Sequence, residues 1–316
     1  MKTLDASPRA AQIGTWLAWA VVAELVLLRM GTRTAVHIPG ISAIAGPYTV
    51  VSTGARIAFA AALVLALALL VLLCVALWSL GPSSRVAAVA VAVFLCAAAA
   101  VALGAPVLVV DVATLAAVVV VAPFAVGARS RLHATWWWAV VIVALAGAIP
   151  SITEAAAASG LGVLRTTWLG GPIEVAAVLV ALASPVLTGR STSRRAGIVA
   201  VVAAAVVGIA FAFGVSTTEI LVLWNFGLSG FLPAAVYGLA AGCMAHTLVR
   251  LVEDGRTTEA TAVFLVVAGG VGLQSTYQSA LTIGGLCLGG LAVVPRRYQA
   301  NVSRPAPAGS EITATS

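Results

Sequence analysis

Residues 216–251 read STTEILVLWNFGLSGFLPAAVYGLAAGCMAHTLVRL. The stretch is almost wholly apolar, yet as one continuous helix it would reach roughly 50 Å against a hydrocarbon core of ~30 Å. Its middle holds Asn225, Gly227, Ser229, Gly230 and Pro233, residues that interrupt a helix or cap its pieces. Broken backbone at membrane depth survives only where protein or a wet cavity satisfies the freed N–H and C=O groups. Such breaks line the binding sites of many transporters. The stretch therefore reads as a partial helix over 219–228 and a span over 233–251, in a polytopic membrane protein.

The rest of the chain agrees. Of its 316 residues 62% are hydrophobic and only 9% charged, where a soluble domain would carry about 25% charged residues. The apolar residues come in blocks separated by short polar punctuation, the pattern of membrane-spanning helices. Nothing alternates with period two over successive strand-length segments, which excludes a β-barrel. Besides 233–251, the blocks predict spans over 13–30, 57–80, 86–103, 107–126, 135–149, 172–187, 196–213, 261–273 and 279–294. The expected fold is all-α, a single bundle of about ten helices over residues 1–294, followed by a disordered cytoplasmic tail over 295–316. The N-terminal segment lacks a small-x-small cleavage site after its apolar run, so it reads as a retained first span.

Charge placement orients the bundle. With both termini cytoplasmic, thirteen of the seventeen Lys and Arg fall on the inner side, and only Arg29, Arg33, Arg56 and Arg165 outside. This is the positive-inside bias. Trp16, Trp78 and Trp136–Trp138 then mark the inner interface and Trp168 the outer one. The expected location is the plasma (inner) membrane, and the net charge of +7 reflects orientation rather than nucleic-acid binding.

The acids show the opposite trend. Glu24, Asp111, Glu154, Glu174 and Glu219 all lie toward the outer side. Ser151-Ile-Thr-Glu154 and Ser216-Thr-Thr-Glu219 fit the capping-box pattern, and Glu174 follows Pro172 in an expected first helical turn. Glu24 and Asp111 instead fall inside predicted spans, where a carboxylate is costly and pairs with a cation or lines a wet cavity. The expected substrate- or ion-binding site groups Glu24 and Asp111 with Arg29, Arg56 and Asn225.

Other chemistry finds little footing. Cys74, Cys96, Cys243 and Cys287 lie in apolar runs and read as small core residues. His37, His133 and His246 are scattered, so no metal, haem or other cofactor is expected. P-loop, GxGxxG, HExxH and GxSxG motifs are absent from the sequence. The pairs Gly238-xxx-Gly242 and Gly285-xxx-Gly289 predict close helix approach. The functional expectation is a secondary transporter of a small solute and not an enzyme. The alternatives are a non-catalytic subunit or scaffold of an envelope complex and, behind it, an intramembrane enzyme acting on lipid-linked substrates. The expected partners are the lipid bilayer, a small solute, and a membrane partner protein or a second copy of the chain.

Overall fold

A computed structural model describes residues 11–20, 45–127, 129–158, 170–189, 193–212, 231–270 and 276–293. Every regular element among them is helical. The order is α1 (residues 11–20), α2 (Ala45–Leu80), α3 (Pro82–Ala102), α4 (Leu108–Val126), α5 (Arg131–Ala158) and α6 (Gly170–Ala183). A 3₁₀ turn (Ser184–Leu187) follows, then α7 (Arg194–Ala212), α8 (Phe231–Glu253), α9 (Thr257–Gly270) and α10 (Thr276–Leu291). Among the described residues four segments are long and apolar enough to cross a membrane: Leu63–Leu80, Ser84–Ala102, Leu108–Val126 and Ala234–Glu253. Shorter apolar helices cover Arg131–Ala146, Val175–Leu187, Thr257–Val267 and Ser279–Leu291.

Helix ends follow local chemistry. Pro82 opens α3 at a position where its missing N–H costs nothing, and Gly81 before it adopts φ 149°, closed to most side chains. The resulting hairpin sets Cys74 beside Ala88, with Sγ 3.4 Å from the Ala88 carbonyl oxygen. At the end of α8, Gly255 has φ 71°. The Arg256 N–H donates to the Leu251 C=O (2.7 Å) and the Gly255 N–H to the Val252 C=O (3.0 Å), a Schellman closure. Arg256 then accepts the first bond of α9 from the Ala260 N–H at 3.0 Å. One residue ends α8 and begins α9.

Several expected boundaries move. Residues 45–54, read as loop, belong to α2; Pro47 sits in its first turn, where proline is tolerated. Pro150 does not end α5, which continues to Ala158 through an Ala-rich run of high helix propensity. The Ser151–Glu154 box therefore lies inside a helix rather than at its start. Glu174 is the fifth residue of α6, one turn beyond the helix start rather than in the first turn. Thr257–Glu259, read as polar loop, form the first turn of α9. Pro233 falls in the first turn of α8, consistent with a span beginning there, while residues 213–230, including Asn225, lie outside the described residues. The segment 295–316 and Trp168 lie outside them too.

α10 is the axis of the bundle. Every residue from Ser279 to Leu291 is buried, enclosed chiefly by α9, α4 and α2. Its glycines make this possible. A Cβ on Gly285 would lie 2.7 Å from Val266 of α9, and one on Gly289 would lie 2.6 Å from the Trp137 ring of α5. Gly284 abuts Leu69 of α2, and Gly290 abuts Phe124 of α4. α1 joins this group, with Gly14 against Leu288, Trp19 Nε1 donating to Thr261 Oγ1 at 3.0 Å, and Trp19 stacked on Phe264.

α7 and α8 make a second unit. Cβ atoms on Gly208, Gly238 and Gly242 would lie 3.3, 2.7 and 3.0 Å from the carbonyl oxygens of Ala234, Ala204 and Ala200. Each pair of positions steps by four in opposite senses, so the helices run antiparallel, backbone on backbone. This is small-xxx-small packing. The rest of α7 points away from the protein, with Val201 70% and Val206 61% exposed.

Candidate functional site

The expected site cannot be assembled from the described residues. Glu24, Arg29 and Asn225 lie outside them, and Arg56 is placed in α2 by its backbone only. Asp111 is described. It occupies the first turn of α4, half-buried, where the N-terminal helix dipole favours an anion. It has no ion-pair partner among the described residues. The one expected acid that can be located thus sits in the first turn of its helix, near the start of the expected span.

Ion pairing is concentrated at the opposite end of α4. Arg129 follows the α4 terminus, and its side chain is 3% exposed. Its Nη1 lies 2.6 Å from Glu259 Oε1, its Nη2 donates to the Gly289 C=O (2.7 Å) and its Nε donates to the Ala125 C=O (2.9 Å). The guanidinium carbon stands 4.4 Å above the Trp137 ring, a cation–π contact. Arg129 therefore closes the last turn of α4, bonds the end of α10 and engages the start of α9.

Glu259 is 2% exposed and is shared by two arginines. Its second oxygen, Oε2, lies 2.9 Å from Arg256 Nε and 2.8 Å from Arg256 Nη2. Arg256 Nη1 reaches across to the Leu187 C=O at 3.1 Å, the end of the 3₁₀ turn. Charge-assisted bonds of this kind are the strong ones. In a buried place each charge depends on its partners, because an unpaired one would be heavily penalised.

Local sequence explains part of this geometry. Gly255 sets the turn that delivers Arg256, and Arg256-x-x-Glu259 places the two on one face of a helical turn. Glu259 also gains from the N-terminal dipole of α9. Arg129 comes from 130 residues away, so no local pattern announces it. In the sequence Arg129 and Arg256 count only among the thirteen inner-side cations, and Glu259 among the inner-side acids.

The tryptophan block is likewise not an interfacial belt. Trp136 is 4% exposed and donates its Nε1–H to the Val180 C=O at 2.9 Å. Trp137 is fully buried between Arg129 and Gly289, its Nε1 without a hydrogen-bond partner among the described residues. Only Trp138 faces outward. Consecutive helical residues point about 100° apart, so three adjacent rings cannot share one face. Trp16 and Trp78 are exposed, and Arg85 lies over the Trp78 ring at 5.8 Å.

Further polar ties occupy the same end. Ser184 and Thr247 hydroxyls meet at 2.9 Å, joining the 3₁₀ turn to α8. Ser193 donates to Glu253 at 2.9 Å, joining the start of α7 to the end of α8. Arg250 pairs with Glu253 and Asp254 within α8 and its C-terminal turn. His133 Nε2 sits 3.2 Å from the Val186 carbonyl oxygen. Among the described residues no three of His, Cys, Asp and Glu gather as a metal site would require. Cys287 is buried in α10 and Cys96 is exposed on α3. No protein family, curated protein or solved structure matches the chain.

Proposed function

We propose that the chain is a ten-span plasma-membrane protein with both termini cytoplasmic, acting as a permease-like secondary transporter of a small solute. The observation that carries this reading is the division of the bundle. α7 packs chiefly on α8, through bare backbone, and α8 in turn meets α6 and α9, while α9, α4 and α2 enclose α10. Alternating access in many transporters is a rocking of one helical group against another around a fixed site, and a peripheral α7/α8 pair beside the close-packed α10 group supports a division of that kind. In this reading the Arg129–Glu259–Arg256 end is cytoplasmic. The Asp111 end is external, and Glu24, Arg29, Arg56 and Asn225 complete a polar site there with Asp111.

Single cysteines in a variant lacking the four native ones test both parts. Cysteines at Arg85 and Arg194 should react with an impermeant thiol reagent only after the membrane is permeabilised. A cysteine at Leu103 should react from outside. Labelling from outside at positions 24, 111 and 225, suppressed by an added solute, would support transport and identify the solute class. Absence of labelling at all three in correctly inserted protein would refute the site. The non-transporting membrane subunit would then be the better description.

A further inference from the structure

We propose that Arg256 is the releasable arm of an ionic latch that holds the α7/α8 unit against the rest of the bundle at its basic end. The three charges are not equivalent. Arg129 is 3% exposed and is held by Glu259, two backbone carbonyls and the Trp137 face, all within the α4, α5, α9 and α10 group. Glu259 is 2% exposed and sits on α9. Arg256 is the outlier at 16%. It occupies the corner between α8 and α9, and one of its nitrogens crosses to the Leu187 C=O on the 3₁₀ turn.

The position of this bond gives it leverage. The chain enters α7 just beyond the 3₁₀ turn, and α8 leads into the Arg256 corner. The bond thus clasps the two places where the α7/α8 unit joins the rest of the protein at this end. The neutral Ser184–Thr247 pair joins the same seam, along which α8 also packs on α6 and α9. Ser193–Glu253 and the Arg250 pairs lie within the moving unit and its corner and would travel with it. When Arg256 leaves Leu187, Glu259 is still neutralised by Arg129, and Arg256 swings into a more exposed position without stranding a buried charge. A pair of arginines on one carboxylate lets the corner open while the anchor stays closed.

Distances between spin labels test this in the full-length protein in lipid nanodiscs, with native cysteines replaced. Labels at Leu132 and Ile198, exposed at the basic ends of α5 and α7, report the seam. Labels at Val86 and Leu132 report the main group at the same end. Arg256→Gln should enrich a longer Leu132–Ile198 distance several-fold and leave Val86–Leu132 unchanged. Arg256→Lys, which keeps charge but lacks the planar fork, should give a smaller enrichment in the same direction. It decides the matter if the Gln variant does not fold. Unchanged distances at the seam in both variants, or equal broadening of both label pairs, would overturn the latch. The role of the latch rests on the transport reading, but the distances are read without solute. A seam that opens in a protein shown to move no solute would refute the function and leave the latch standing.

Discussion

α10 and α7 are helices of similar length and similarly apolar character, and they have opposite fates. α10, with 16 residues, is enclosed on every side; α7, with 19, has one principal neighbour and turns its valines and isoleucines outward. Hydrophobicity cannot explain the difference, since the two helices are similarly apolar. What differs is the number of faces on which a neighbour can approach. α10 carries Gly284, Gly285, Gly289 and Gly290, which point to α2, α9, α5 and α4. α7 carries one row, Ala200, Ala204 and Gly208, and it meets one row on α8. In this bundle small residues determine who packs on whom, and bulky ones report where packing stops.

The comparison can be broken most forcefully at the ions. Glu259→Ala would leave Arg129 and Arg256 facing one another with no anion, and removing one partner of a buried pair costs about 3–5 kcal/mol. Thermal unfolding in nanodiscs should show the largest loss of the series. Unaltered stability would mean that water reaches the cluster.

Next in size is Gly289→Ala. Its methyl would meet the Trp137 ring, which is fully buried beneath Arg129 and has nowhere to retreat. Overpacking of this kind costs about 1–3 kcal/mol. Gly238→Ala makes a similarly close approach, to the Ala204 carbonyl oxygen, yet α7 exposes its outer face and can shift outward. It should therefore cost less than Gly289→Ala while loosening α7, seen as faster cleavage of the 189–193 link by added protease. Equal costs for the two would erase the distinction between enclosed axis and peripheral unit.

The smallest effect belongs to Val206→Ala on the outer face of α7, expected within ±0.5 kcal/mol. Thiol reactivity sharpens the same contrast without substitution. A membrane-permeant reagent should label exposed Cys96 in the folded protein and buried Cys287 only after denaturation.

Residues near the helix boundaries show how far the sequence alone carries. Long apolar runs and the Gly-Pro turn at 81–82 announce α2 and α3, because a helix satisfies every backbone N–H and C=O within its own apolar segment. Pro150, expected to end or kink its helix, does not end it, since a single proline is overridden where neighbouring residues favour helix. Glu259 misleads too. Amid VEDGRTTE it looks solvated, and only the arrival of Arg129 makes it a buried ion. Asp111 could be located at a helix start from its own surroundings, whereas its intended companions lie outside the described residues.

The all-helical class, the apolar segments, the concentration of arginine at one end and the glycine rows were thus written in composition and spacing. These properties depend on residues a few positions apart. Tertiary structure alone decided that α10 is the axis, that Trp136 and Trp137 are core rather than interface, and that Arg129, Glu259 and Arg256 form one cluster. Each of those depends on which helices meet. Among helices this apolar that choice is made by close packing and charge pairing between distant segments, which no local pattern encodes.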